Sequence, residues 1–591
     1  MNKLKYIVPA LLMGFAMTAC DDDDDVYGVL DGLEMINRTQ SVVDNSTIRS
    51  NSTNQIVLQY NNLVGIDASK SITVNGQSVA ARVNPDNGME LIIPITLKSN
   101  TDYVVEIPEG AVYRKDDISV VAEQKTITFN TNVGINKNLI ATSLTNANAS
   151  TPAKNVYKFM LENYGSKQLS GAMGEVAWGT TFTDLVASAA GAYPAIIGFD
   201  YIHLASSAAG SWIDYSDITP VSDAWNSGSL PAFSWHWLVP GAETKAVAEL
   251  SNERLDVGGW ANVLQISADK FADAKVGQSI LVTFSDLGDN PQGSLKNSSW
   301  AAIASDTEYF SISGSSYSHE IDSDILASLQ SGGLIVGGQN YVITGVYLAE
   351  GDSELKYTAG RSFSPKNILT DGTWENSIYK ADVAKVAGYL ALLRDAGIPV
   401  LWRPFHEAAG EYKSDVDGVA QNGAWFWWGQ DGVDVTKQLW QKLYNDLTNT
   451  YGLNNLIWVW TVQTTKDGNL ASLSDTQSSY PGDSYVDIVC ADLYKELGDN
   501  DGQVVQPSQT EEFDLVNATA GRKKIVALGE CGNLLNVNAA ANDDALWSYF
   551  MSWYDMADDG TFGFNTWNSA DIWRTVLSNP LVINRGGLNV K

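Results

Sequence analysis

The stretch LWRPFHEAAG, residues 401–410, decides how this chain is read. It follows a helix-patterned segment at 381–397 and a turn at Ile398-Pro399. Its apolar lead, Val400-Leu401-Trp402, has the composition of a strand buried on both faces. Where that strand must end, an arginine, a proline, an imidazole and a carboxylate come within five residues. The C-terminal strand ends of an α/β barrel carry its chemistry, so Glu407 is expected to point into the mouth of a site. KIVALGECG, residues 524–532, repeats the pattern: an apolar strand, then Gly529, then Glu530. Two carboxyls on two strand ends are what cleavage of a glycosidic bond needs. One protonates the departing oxygen, and the other attacks or activates water.

Further strands fall at 169–175, at 194–201 (PAIIGFDY), at 230–237 (LPAFSWHW), at 455–461 (NLIWVWT), at 486–494 (VDIVCADLY) and at 561–567 (TFGFNTW). Helical spacing lies between them, as at 153–164, 434–451 and 543–556. Eight strands alternating with helices predict an α/β fold, a (β/α)8 TIM barrel, over 151–245 and 359–591. Roughly 140 residues separate the third strand from the helix before the fourth, too many for a loop. They carry all-β patterning, as in SILVTF at 279–284 and LIVGG at 334–338. Residues 246–358 are therefore expected to form a β-sandwich inserted in the barrel. Its two tryptophans, Trp260 and Trp300, serve either as core or as a carbohydrate-binding platform.

Ahead of the barrel, residues 26–133 alternate in short runs broken by Gly, Asn and Asp, as in QIVLQY at 55–60 and DYVVEI at 102–107. That predicts a small β-sandwich, which resembles the immunoglobulin-like modules found ahead of secreted bacterial enzymes. It holds no tryptophan, the first in the chain being Trp178, and so reads as a spacer and not a sugar binder. Residues 134–150, rich in Asn, Thr and Ser, read as a linker. Residues 1–20 are a processing signal: Lys3 and Lys5, an apolar run, then Thr18-Ala19 before Cys20. This end resembles the lipobox of bacterial lipoproteins, which implies lipidation of Cys20. The acidic tether at 21–25 resembles a surface-export signal of Gram-negative lipoproteins, which implies an outer-membrane, cell-surface location.

The 591 residues carry a formal net charge of −32, are 44% hydrophobic and 18% charged, and include three cysteines. Such acidity disfavours nucleic acid as a partner, and three cysteines do not build a disulfide framework. The four histidines form no HExxH or HxH pair, so neither a metal nor another cofactor is expected.

WRPFHE at 402–407, WFWWG at 425–429, NNLIWVW at 454–460, YPGDSYVDIVCADLY at 480–494, ALGE at 527–530 and WNS at 567–569 resemble, in content and order, the family 26 glycoside hydrolases, mostly β-mannanases. The resemblance implies Glu407 as acid/base, Glu530 as nucleophile and a retaining mechanism. It also implies that Tyr494 donates a hydrogen bond to Glu530 and that His406 contacts sugar hydroxyls or the nucleophile. Arg403 is expected to orient the carboxylates, and Trp235 and His236 to line the pocket. Asp492, like Asp200, either binds hydroxyls or braces the barrel. Four adjacent aromatics at 425–428 cannot all face inward, so at least one, with Trp428 the candidate, lines the cleft. Trp567, taken to end the last strand, is the expected sugar-stacking floor. The resulting expectation is an endo-β-1,4-mannanase acting on mannan, glucomannan or galactomannan. The alternatives are a β-1,3-xylanase or mixed-linkage β-glucanase of the same family, or a non-catalytic glycan-binding lipoprotein.

Overall fold

The computed structural model describes residues 32–36, 42–49, 55–98, 100–175, 178–312, 314–413, 422–494, 509–557, 559–564 and 566–590. The expectations for Cys20 and the acidic run lie outside the described residues. The chain divides into two compact units, Met1–Val133 and Gly134–Lys591.

The first unit is built mainly of antiparallel strands, with Ser46–Thr47 added parallel to Phe129–Asn130. Asp102–Ile107 pairs with Lys125–Asn130 in unbroken register, and Gln55–Gln59 pairs with Glu90–Pro94. Strict alternation along Asp102–Ile107 puts Tyr103, Val105 and Ile107 inside with Ile56, Leu58, Leu91 and Ile93.

The second unit is a closed barrel of eight parallel strands: β1 (Gly171–Met173), β2 (Ile196–Asp200), β3 (Leu230–Ser234), β4 (Val400–Arg403), β5 (Leu456–Thr461), β6 (Ile488–Leu493), β7 (Ile525–Cys531) and β8 (Phe550–Ser552). Strands β4, β5 and β7 are buried at every residue, as barrel strands sheathed by helices must be. The helix preceding β4, Trp374–Asp395, is capped by the Thr373 hydroxyl, which accepts from the Asn376 N–H.

Two expectations change here. The eighth strand is not 561–567 but Phe550–Ser552, inside the segment expected to be a helix. Residues 545–552 are buried continuously, and a short, mostly apolar run does not separate a barrel strand from a buried helix by its period. Residues 561–564 follow β8 outside the barrel sheet, with Phe562 bridged to Met556. Residues 134–150 are not a free linker either. Ile140 and Leu144 join the barrel core. The Thr145 N–H donates to Asp487 Oδ1 at 2.6 Å and the Ala141 N–H to the Lys523 carbonyl at 2.9 Å.

Between β3 and the helix Trp374–Asp395 lies a β-sandwich insertion, running from Lys245–Ser251 to Val342–Glu350. It is not all-β as expected, because Ser323–Gly332 forms a helix capped by the Asp322 carboxylate, which accepts from the Asp324 and Ile325 N–H groups. Two sheets enclose a core that includes Val257, Ile280, Val282, Leu295, Val336 and Ile343. The chain enters and leaves through a short antiparallel stem, Val239 opposite Lys356 and Pro240 opposite Leu355. Beyond the stem, Tyr357–Ala359 runs alongside Trp425–Trp427. The Ala359 N–H donates to the Trp425 carbonyl (2.8 Å) and the Trp427 N–H to the Tyr357 carbonyl (3.0 Å).

Candidate active site

Strands β4, β6 and β7 deliver a buried charged cluster to the C-terminal mouth of the barrel. Arg403, the last residue of β4, reaches across the interior. Its Nη1 donates to Asp492 Oδ2 (2.8 Å) and to Thr461 Oγ1 (3.2 Å), and its Nη2 donates to Glu530 Oε1. The two carboxylates hold its guanidinium charged against the cost of burial. Glu530 accepts a second hydrogen bond, from the Tyr494 hydroxyl to Oε2 at 2.7 Å. Burial, reinforced by Glu530, pushes the Tyr494 phenol well above its ordinary range, so it remains a donor. Gly529 makes this arrangement possible, because a Cβ there would lie 2.5 Å from Cys490 Sγ and 2.7 Å from Asp492 Oδ1. The β6–β7 register shifts at this point, so that Asp492 lies opposite Glu530.

Glu407 stands in the turn after β4 with φ at +49°, two residues beyond Phe405 at +47°. Such left-handed backbone is costly for a side-chain-bearing residue and aims the carboxyl where the strand alone would not. Its Oε2 accepts from Trp425 Nε1 at 2.7 Å. Glu407, Asp492 and Glu530 bring one oxygen each within 4.8 Å of one another. Desolvation, then the charges of Asp492 and Glu530, raise the Glu407 carboxyl well above the ordinary range; Arg403 and the Trp425 hydrogen bond only partly oppose this. Burial likewise lifts Asp492 to about 7 although Arg403 pulls it down. Three oxygens so close could hold a hard divalent cation, but the Arg403 guanidinium already occupies two of the three carboxylates.

An imidazole pair forms the adjoining wall. His236 Nδ1 lies 2.5 Å from the buried Asp200 Oδ2, and His236 Nε2 lies 3.2 Å from His406 Nε2. Burial opposes a charged His236, yet the Asp200 carboxylate outweighs it and raises the imidazole. Burial and the neighbouring His236 and Arg403 charges push His406 well down. With His236 protonated and His406 neutral, His236 donates between the two rings, which leaves the His406 proton on Nδ1. That buried atom has no partner among the described residues.

Together these groups line a cleft of about 520 Å³ shared with Trp425, Phe426, Gln463, Thr464, Leu493 and Trp553. Of the residues singled out in the sequence, Glu407, Glu530, Asp492, Tyr494, His236 and His406 meet here, with Arg403 beneath them. Two do not line it. Trp235 is buried and stacked on Trp237, ring centres 3.8 Å apart. Trp428 is also buried, donating its Nε1–H to the His406 carbonyl at 2.8 Å. Within the aromatic quartet the open member is Trp425, 42% exposed. Trp567 does not end the last strand; it flanks the cleft, its ring 5.6 Å from Tyr494. The tryptophan just past β8 is Trp553, its ring 5.8 Å from His236. Sequence reasoning passes over Trp553 because the eighth strand is misplaced there. The four-residue aromatic run already signals Trp425, though not which ring turns outward.

The sequence profile of glycosyl hydrolase family 26 matches residues 145–256 and 352–586, its interruption falling within the inserted sandwich. A mannan endo-1,4-β-mannosidase of Thermothelomyces thermophilus is 35% identical over 229 residues, 38% of this chain and 40% of that protein. Mannan endo-1,4-β-mannosidase A of a Piromyces species is 32% identical over 197 residues, 33% of this chain and 27% of that one. The chain thus spans less than half the length of these curated relatives. Among solved structures, the family 26 domain of a Prevotella bryantii endo-β-mannanase/endo-β-glucanase is 28% identical with a TM-score of 0.50, covering 76% of this chain and all of that one.

Proposed function

The chain belongs to glycosyl hydrolase family 26, and from that premise we propose that it is a retaining endo-β-1,4-mannanase cutting mannan, glucomannan or galactomannan. The approach of Glu407 and Glu530 carries this reading. Oxygens within 4.8 Å suit the roughly 5–5.5 Å separation of a nucleophile and acid/base pair and leave no room for the water that inversion needs. Glu530, with one hydrogen bond on each oxygen, is the carboxylate that forms a bond to the anomeric carbon. As the glycosidic C–O bond breaks, the leaving oxygen takes the proton that burial keeps on Glu407. Glu407, now a carboxylate, then removes a proton from water. The water oxygen displaces Glu530, returning both side chains to their first state with the anomeric configuration retained. Trp553 and Trp425 give the ring faces on which a pyranose stacks.

The names of the curated relatives support mannan as substrate. The sequence of residues 1–25 supports an acyl anchor on Cys20 at the outer membrane, and loss of fatty-acid incorporation in a Cys20→Ser chain would test it. The test of the catalytic reading is Glu530→Ala. Turnover of mannan is expected to vanish while mannohexaose still binds. Retained turnover would remove Glu530 as nucleophile.

A further inference from the structure

The inserted sandwich carries a second aromatic face, built quite differently from the cleft. One of its sheets runs Val263–Ile266, Leu334–Gln339, Gln292–Lys296, Phe310–Ser311. Leu264, Leu334, Val336, Leu295 and Phe310 point into the sandwich core. By alternation, Gln292, Ser294, Lys296, Gly337 and Gln339 lie on the opposite face. Gly337 forms its floor: a Cβ there would sit 3.0 Å from Val263 and 3.6 Å from Ser294 Oγ.

Aromatic rings stand over this floor. Trp260 Nε1 donates to Gln339 Oε1 (3.0 Å), and the Gln339 amide donates in turn to Gln292 Oε1 (3.2 Å). Tyr309 meets Trp260 edge-on, ring centres 5.5 Å apart, and Lys296 Nζ lies 5.9 Å from the Tyr309 ring. Trp300 occupies the turn just beyond Lys296, its N–H bonded to the Asn297 carbonyl. The three rings are open: Trp260 is 37% exposed, Trp300 56% and Tyr309 61%. Moreover, Trp260 and Trp300 hold φ at +71° and +67°, where glycine or asparagine is the usual occupant. A bulky side chain strained in the backbone and left in solvent gains too little from folding to explain its place, which points to a ligand.

We propose that this face is a non-catalytic binding site for a β-1,4-mannan chain. Exposed rings match pyranose faces, and the orientated amides of Gln292 and Gln339 match hydroxyls. The four steps from Gln292 to Lys296 extend about 13 Å, the reach of a short oligosaccharide. Lys296 is the single charge among the outward-facing residues of these strands, which suits a neutral chain better than an anion. The choice of mannan rests on the function proposed above; the site itself does not.

The test is calorimetric titration of mannohexaose, cellohexaose and xylohexaose into the full chain carrying Glu530→Gln. Two mannohexaose sites are expected, falling to one with Trp260→Ala and Trp300→Ala together. A single site untouched by the pair would overturn the proposal and leave the catalytic reading standing. A tryptophan-dependent site with no binding in the cleft would instead sink the mannanase reading and uphold the site. A tryptophan-dependent site for cellohexaose or xylohexaose alone would overturn mannan as its ligand. Trp260→Gly is expected to weaken the site at least tenfold without lowering the melting temperature, since it relieves the strained φ. A clear drop in melting temperature would show that the ring serves packing, and would overturn the proposal.

Discussion

The barrel mouth and the outer face of the inserted sandwich both set tryptophans beside polar groups, and both include left-handed residues that carry side chains. They differ in what is hidden. At the mouth, the side chains of Arg403, Asp492 and Glu530 are at most 8% exposed, and one of the left-handed residues, Glu407, is a carboxylate. On the sandwich the left-handed residues include two tryptophans, Trp260 and Trp300, whose rings face water. Bond breaking gains from charges taken out of water, where fields are strong and pKa values move. Holding a neutral chain gains from exposed ring area and a few fixed amides. The contrast separates chemistry from retention within one unit of one chain.

Three experiments would sharpen or break that division. The largest effect is expected from Glu407→Ala: about a 10³-fold fall in kcat/KM on mannan, within the usual range for loss of a general acid. Aryl β-mannosides with good leaving groups should instead show a rapid burst of phenol, because their departure needs no proton. If both substrate types slowed equally, the acid role would be lost and with it the special standing of the mouth.

Trp425→Phe should act more gently and through pH. The Nε1–H to Glu407 favours the carboxylate, so removing it leaves Glu407 protonated to higher pH. The alkaline limb of the kcat/KM profile should move upward by about half to one pH unit. An unmoved limb with raised KM would assign Trp425 to sugar stacking alone.

The smallest effect should come from Asp382, on the helix Trp374–Asp395, whose carboxyl burial raises to about 6 although Trp237 Nε1 donates to it at 2.7 Å. A raised folded pKa means the acid is tolerated at pH 4 and costs stability as pH climbs through 6. Asp382→Asn keeps an acceptor for Trp237. It should therefore stabilise by about 1–2 kcal/mol at pH 8 and hardly at all at pH 4, read by denaturant unfolding. Equal stabilisation at both pH values would mean that the charge is not what is penalised.

Legibility in the sequence followed the same physics. Seven barrel strands could be read because each ends in a polar or charged residue after an apolar run, and Glu407 and Glu530 stand at two of those ends. The eighth could not, because in ALWSYFMSW at 545–553 the only polar residues, Ser548 and Ser552, fall four apart, a spacing that equally suits one face of a helix. Trp553 went unread with it. Adjacency to a functional residue places Trp235 and Trp428 at the cleft when read from sequence, yet says nothing of orientation. Only their neighbours, Trp237 and the His406 carbonyl, reveal that they brace the wall from behind. The Asp200–His236–His406 chain joins three strand ends far apart in sequence, and no local pattern announces such a meeting.

The stem of the insertion has a last consequence. Its exit runs straight into Tyr357–Ala359, whose backbone clasps the segment bearing Trp425, the donor to Glu407. The sandwich is thus bolted to the frame one peptide ladder away from the proton donor. A chain shortened by fusing Gly241 to Glu354 keeps that clasp, whereas a cut a few residues later, through Thr358, sets the indole loose. Where the graft is trimmed would then matter more to turnover than whether it is trimmed at all.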